Sequence, residues 1–367
     1  MIVVALASFA FAAPPPRISL APVQDSPVVV RLASRPRTRR LVCSVDGSRP
    51  RTCGHTTRLR LSAGRHTVSA WAVMRGGRPS RRTHGAVVVT RREPRPVAVG
   101  GQPVGIAAAG TAIWISDGSG GNAVRVDADT RQVTVRVAIG GQLGGITATG
   151  SAVWVSVFDS GQVVRFDPAT NTVVARITVG GQPTSIAVDA AGQVWVGNLD
   201  GSAKRIDPAT NLVAATVHLP SGASTLLPAG NLIWIGLQNG SLVSLDPATG
   251  ALTGAAVKVA PDVDALVSAP NGLWASTFGG TAALVDPAAR RVLRRVQLPG
   301  RGSGITYGGG RVWVSVYDAG YVLALDPARG TFLAAVHAGV QPRESLVVGS
   351  TLWVLDQLGG ALVPVTP

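Results

Sequence analysis

Val153-Trp154-Val155-Ser156-Val157-Phe158-Asp159-Ser160-Gly161, followed closely by Arg165-Phe166-Asp167-Pro168-Ala169-Thr170-Asn171, sets the pattern of the larger part of this chain. The tryptophan-centred apolar run returns at Trp114, Trp195, Trp234, Trp274, Trp313 and Trp353, so that with Trp154 seven indoles stand 39 to 41 residues apart. Short alternating segments and Gly or Pro turns fill each interval, with no helical periodicity. A period near 40 residues built this way marks one blade of a β-propeller. The expectation is an all-β protein whose main body is a seven-bladed propeller of four-stranded blades, preceded by a small β-sandwich-like domain.

The third unit shows how the repeat folds. Residues 184–188 read as an inner strand, 194–197 as the second, 202–206 as the third and 212–219 as a longer outer one, with side chains alternating between two faces. So short a sheet cannot bury both faces alone, and stacking between neighbours hides its Val, Ile and Trp side chains. The tryptophans are therefore expected as inter-blade packing, each contributing a few kcal/mol at ~25 cal/mol per Å² of buried apolar surface. Asp167-Pro168-Ala169-Thr170 recurs as Asp207-Pro208-Ala209-Thr210 and Asp246-Pro247-Ala248-Thr249, then as Asp286-Pro287 and Asp326-Pro327. Pro presets φ and the Asp carboxylate accepts backbone N–H groups, so this repeated acid is turn chemistry.

The seventh unit offers three strands, at 346–349, 352–355 and 361–365. Arg95-Pro96-Val97-Ala98-Val99-Gly100-Gly101-Gln102-Pro103 matches Arg176-Ile177-Thr178-Val179-Gly180-Gly181-Gln182-Pro183, the outer strand and exit of the second unit. It is expected to supply the fourth strand and close the ring without leaving an exposed sheet edge.

On the Val-Trp-Val strand, the Arg-Phe-Asp-Pro-Ala-Thr-Asn turn at 165–171 and the Thr-Val-Gly-Gly-Gln-Pro exit at 178–183, residues 95–367 resemble the YVTN-type propellers and, more loosely, the virginiamycin B lyase-like propellers. The resemblance implies the fold, which hosts binding, scaffolding and enzymatic roles alike. Lyases of that type use a divalent metal with glutamate and histidine at the propeller face. This chain has only Glu93 and Glu344, and its histidines are His55, His66 and His84 in the first domain with His218 and His337 on outer strands. No Glu/His cluster can be assembled from them, so that mechanism does not carry over and no cofactor or metal is expected. No Ser/His/Asp arrangement stands out, and the Gly-Gly-Gln-Pro segments open no helix, so they are not phosphate loops.

Residues 1–13 form a short apolar stretch ending near Ala10-Phe11-Ala12, which reads as a secretory signal lacking the usual basic start and too short to span a bilayer. Residues 14–21 read as a linker, 22–90 as a β domain with strands near 28–32, 41–45, 59–61 and 66–73, and 91–94 as a basic linker. Leu41 to Gly47, Cys53 and Leu61 to Val68 resemble small Ig-like or fibronectin-like modules of secreted bacterial proteins. Cys43 and Cys53 are the only cysteines, ten residues apart across an expected hairpin, and an exported chain oxidises such a pair. Two cysteines without ligand-spaced histidines give too few donors for a metal. The protein is expected to be secreted or cell-envelope associated, and monomeric.

The net charge of +15 is confined to one end. Residues 1–96 hold 18 arginines against Asp25, Asp46 and Glu93, whereas residues 97–367 hold 16 basic and 16 acidic side chains. An anionic surface would attract this domain first, and for an exported protein the candidates are cell-wall polymers or lipid headgroups. Nucleic acid is not, because the arginine clusters lack aromatic interleaving and no reading helix is present.

Ligands of propellers sit where loops gather around the central channel. Most acids there precede Gly, which is ordinary hairpin grammar. One pair departs from it: Phe158-Asp159 in the second unit and Tyr317-Asp318 in the sixth share a nearly repeated sequence, almost opposite each other in a ring of seven. They are expected to face each other across the channel mouth as aromatic and acidic partners for a sugar or cationic group. Phe278, Gln102, Gln142, Gln182 and Gln341 lie in the same set of loops and are expected to line that face. The function expected is non-enzymatic binding or scaffolding of a protein or glycan ligand, the competing class being a metal-dependent lyase or lactonase.

Overall fold

The computed structural model describes residues 14–34, 38–91 and 95–366. The signal-like segment 1–13, residues 35–37 of one arginine cluster, residues 92–94 of the basic linker and residue 367 lie outside them. All regular structure among the described residues is strand, and no helix is long and apolar enough to cross a membrane. The chain divides into two compact units, residues up to Arg91 together with Leu333–Ala335, and the remainder.

The first unit is built from two sheets. Arg17–Ser19, Val28–Ala33 and Thr56–Leu59 form one; Val23–Gln24, Thr83–Val89, Gly64–Met74, Thr38–Val45 and Arg51–Cys53 form the other, in that spatial order. Alternation in Val28–Ala33 puts Val28, Val30 and Leu32 inward, where they meet Leu59, Leu41, Cys43, Val68, Ala70 and Val87 in one core. Two corrections follow. Arg17–Ser19, read as linker, pairs with Val28–Ala33, and the strand expected at 59–61 lies earlier, at Thr56–Leu59. The hairpin of Thr38–Val45 with Arg51–Cys53 sets Cys43 and Cys53 6.0 Å apart at Cα, and they are disulfide-bonded. The bond fits an oxidising compartment.

The second unit contains seven four-stranded antiparallel sheets. Sheet 1 comprises Pro103–Ala109, Ala112–Asp117, Asn122–Asp127 and Gln132–Ala138, and sheet 2 Leu143–Ala148, Val153–Val157, Gln162–Asp167 and Thr172–Thr178. Sheets 3, 4, 5 and 6 follow with first strands Pro183–Val188, Ala223–Ala229, Val263–Ala269 and Gly302–Gly308. Sheet 7 takes Pro342–Val348, Thr351–Asp356 and Ala361–Val365 and completes itself with Val97–Ala98, which pairs Ala98 with Ala361 and Val97 with Leu362. The first strand of each sheet lies beside that of the next, and that of sheet 7 beside that of sheet 1. The unit is a β-propeller.

All seven tryptophans of the repeat are fully buried, and those of sheets 1 to 4 and 7 pack forward. Trp114 of sheet 1 joins the core of sheet 2 with Val155 and Phe166, its ring 5.1 Å from that of Phe166. Trp154 joins sheet 3, Trp195 sheet 4 and Trp234 sheet 5. Trp353 of sheet 7 joins Ile113, Ile115, Val97 and Val99, so the same wedge packing crosses the point where the chain's ends meet. Arginines on the outer strands tie one sheet to the one before. Arg136 donates to the Val99 carbonyl at 2.7 Å, Arg176 to that of Ile139 at 2.8 Å and Arg295 to that of Val259 at 2.9 Å. Near the axis the strands must approach closely, and glycine permits it: a Cβ on Gly304 would lie 2.3 Å from the Arg343 carbonyl oxygen.

Three outcomes test this packing. Val99 is 1% exposed, so Val99→Asp places an unpaired charge in the closing core and lowers the urea midpoint, whereas Val99→Ala lowers stability by about 2 kcal/mol; unchanged midpoints contradict the closure. Trp195, whose Nε1 donates to buried Asp189 at 2.9 Å, loses about 3–5 kcal/mol on replacement by Ala, measured by denaturation.

In the first unit, Asp46 accepts from His66 Nδ1 at 2.7 Å and from the Thr67 N–H at 2.8 Å. Partial burial disfavours both charges, but these bonds and the Ser62 carbonyl outweigh it, holding His66 above its ordinary value and Asp46 below. The raised His66 stabilises the fold below about pH 6.5 and loses that contribution as pH climbs through its folded value; the lowered Asp46 loses its own as pH falls below about 4. The protection of the Thr67 amide, its exchange rate relative to the intrinsic rate at each pH, is therefore expected to fall as pH climbs through the folded value of His66 and to lose that step in His66→Phe.

Candidate functional site

Every first strand of the seven sheets carries a register shift near its start. In sheet 1 it falls between Pro103 and Gly105, in sheet 5 between Val263 and Ala265, and in sheet 7 between Pro342 and Ser345. A bulge places one extra residue against the partner strand and re-aims its side chain. The inserted positions are Val104, Gly144, Thr184, Ser224, Asp264, Ser303 and Arg343, followed by Glu344 in sheet 7. First strands of all seven sheets line a single central cavity of about 860 Å³. Its wall is one-sided in chemistry. Val104, Gly105, Gly144 and Gly145 face it from sheets 1 and 2, hydroxyls from sheets 3 and 4, and the charged groups Asp264, Arg343 and Glu344 from sheets 5 and 7.

Those three are the titratable groups among the residues lining the cavity. Ser303 donates to Asp264 Oδ2 at 3.1 Å, and Arg343 Nη1 to Gln357 Oε1 at 3.3 Å. Arg343 Nε is buried without a partner. Glu344 sits deep in the protein yet partly open to the cavity, and among the described residues neither a hydrogen bond nor a direct ion pair engages its carboxylate. Burial, reinforced by the charge of Asp264 and only partly opposed by Arg343, pushes Glu344 up to about 7. Burial likewise raises Asp264 against the opposing pull of Arg343 and Ser303. A carboxyl poised near neutrality beside a second acid and a guanidinium can bind a donor or exchange a proton.

At the mouth, the residue after each second strand donates its N–H to the carbonyl of the preceding inter-sheet loop. Phe158 donates to Gln142 at 2.7 Å, Phe278 to Asp262 at 2.9 Å, Tyr317 to Arg301 at 2.8 Å and Gln357 to Gln341 at 2.9 Å. Phe158, Gln102 and Gln142 line the cavity; Gln182 and Gln341 are not among its lining residues, and their backbones serve the same loop brace. The expected opposition of Phe158 and Tyr317 is replaced by a different pairing. Tyr317 packs against Phe278 of the adjacent sheet, ring centroids 5.2 Å apart, with the Arg301 guanidinium 4.9 Å from Phe278 and 5.1 Å from Tyr317. Tyr317 also donates to Gln357 Oε1 at 3.2 Å, the oxygen that Arg343 uses.

Asp159 and Asp318 do not act as free acids over the channel. Asp159 accepts the Gln142 N–H at 3.1 Å and Asp318 the Arg301 N–H at 2.9 Å, as Asp117 and Asp356 do for Gln102 and Gln341. Their repeated role is to hold the loop between sheets. Asp264, Ser303 and Arg343 were missed by reading loops. The signal available was the alignment of the seven first strands, where charge appears at the bulge in two units alone.

No protein family and no curated protein matches the chain. A chain of hydrazine synthase from Kuenenia stuttgartiensis, a β-propeller protein, is similar in structure, with a TM-score of 0.66 and 18% identity over 75% of this chain and 97% of that one. The similarity extends to the fold. Among the described residues no group of three or more His, Cys, Asp or Glu side chains gathers as a metal site.

Because Glu344 keeps its proton in the folded state up to about 7 and releases it earlier when unfolded, the wild type loses stability as pH rises from about 4.5 to about 7. Glu344→Gln is expected to melt higher than wild type at pH 8 and at the same temperature at pH 4. Equal melting at both pH values contradicts the burial of this acid.

Proposed function

We propose that this is an exported binding protein whose seven-bladed, YVTN-type propeller takes a ligand into its central channel, on the side formed by sheets 5 to 7. One observation carries the reading: among the described residues Glu344 has no hydrogen-bond partner and lies beside Asp264 and Arg343 in the wall of a cavity of about 860 Å³. Groups that lower stability without a partner in the protein are expected where a ligand supplies the partner. The volume suits a small molecule or the end of a larger one. Phe278, Tyr317 and Arg301 form an aromatic and cationic rim that extends the site outward, toward a glycan or protein.

In this reading the first unit is an Ig-like module that holds the protein to anionic envelope polymers through its excess of arginine. Its disulfide supports a location outside the reducing cytoplasm.

A thermal-shift screen of envelope-derived small molecules and glycan fragments tests the channel. A ligand that raises the Tm of the wild type and not that of Asp264→Asn/Glu344→Gln is expected. A ligand whose effect survives in the double variant places binding elsewhere, and a rise produced by Mg²⁺ or Ca²⁺ alone favours the metal-dependent enzyme class. Pelleting with cell-wall fragments is expected to fall steeply as salt is raised, in step with screening of the arginines.

A further inference from the structure

We infer that the channel's ligand is a small zwitterion carrying both an ammonium and a carboxylate, as an α-amino acid or short peptide does, with an apolar side chain. The inference rests on the channel being the ligand site and names what occupies it. Two groups of opposite charge belong to one cavity. Among the described residues the Glu344 carboxylate accepts no hydrogen bond, and the Arg343 guanidinium is held at Nη1 by Gln357 Oε1, which Tyr317 also uses, while Asp264 accepts from Ser303.

A bare cation would satisfy Glu344 and Asp264 but meet the repulsion of the Arg343 guanidinium. A bare anion would satisfy Arg343 and face two carboxyls. A zwitterion answers both groups, its ammonium facing Glu344 and its carboxylate facing Arg343, so that each of these charges gains a partner of opposite sign. Ile106, Ile146, Ile186, Leu226, Leu266 and Ile305, most of them core residues of their sheets, also touch the cavity, and the surface they leave there offers an aliphatic side chain apolar contact. The ammonium requires Glu344 ionised, so binding is expected to release protons and to strengthen from pH 6 to pH 8. Asp264 and Arg343 are the titratable and charged groups that face Glu344 across the cavity.

Isothermal titration of the full chain with four probes decides it: L-leucine, the dipeptide Leu-Leu, 3-methylbutylamine, which lacks the carboxylate, and 4-methylpentanoate, which lacks the amine. Binding of leucine or the dipeptide is expected, whichever of the two is tighter identifying a free amino acid or a peptide. Each single-charge analogue is expected to bind at least about tenfold more weakly, the loss of one charge-assisted hydrogen bond. Glu344→Gln, which is expected to fold at least as well as wild type, and Arg343→Met are each expected to lose the leucine signal. Either analogue binding as tightly as its zwitterion, or neither zwitterion binding at millimolar concentration, overturns the inference. A neutral ligand found in the screen and lost in Asp264→Asn/Glu344→Gln would leave the channel reading standing while this one fell.

Discussion

Packing of one small sheet against the next is the constraint on which the rest of the second unit depends. A four-stranded sheet of strands mostly five to seven residues long has two apolar faces and no means of covering either. The tryptophan on the second strand solves this by reaching into the following sheet, as Trp114 does against Phe166 and Trp353 against Ile113 and Ile115. A row of such wedges would always end in an uncovered face. Closure removes that face, and Val97–Ala98 gives sheet 7 the fourth strand that the other sheets have.

The same geometry makes the channel. Seven first strands crowd about one axis, glycine relieves the tightest approaches, and each strand carries a bulge near its start. Most of these bulge positions are small or hydroxylated, as the crowding demands. Sheets 5 and 7 instead place a carboxyl and a guanidinium there, with Glu344 next to it. Nothing in the packing of the ring calls for those charges, and burial opposes them.

Much of the fold was legible because repeats restate themselves. The spacing of Trp114 to Trp353 and the Asp-Pro turns counted the sheets, and the likeness of 95–103 to 176–183 disclosed the closing strand across more than 250 residues of sequence. Strand ends in sheet 3 fell within a residue or two of 184–188, 194–197 and 202–206. The first unit has no such redundancy. Arg17–Ser19, Val23–Gln24 and Arg51–Cys53 are too short to show alternation and exist through their partners in the two sheets. The site was obscure for the opposite reason. Likeness between Phe158-Asp159 and Tyr317-Asp318 drew the eye to residues that the repeat conserves for bracing loops, whereas Asp264, Arg343 and Glu344 matter as departures from the repeat, brought together by bulges that no local pattern announces.

Amide hydrogen exchange across the whole second unit probes the closed ring most directly. If Val97 and Val99 complete sheet 7, the amides of Ala361 to Val365 exchange as slowly as those of the third strands of sheets 2 to 5, and all of them slow down or speed up together as denaturant is varied. Early, separate exchange of sheet 7, with the remaining sheets still protected, would contradict a ring closed through residues 97–99.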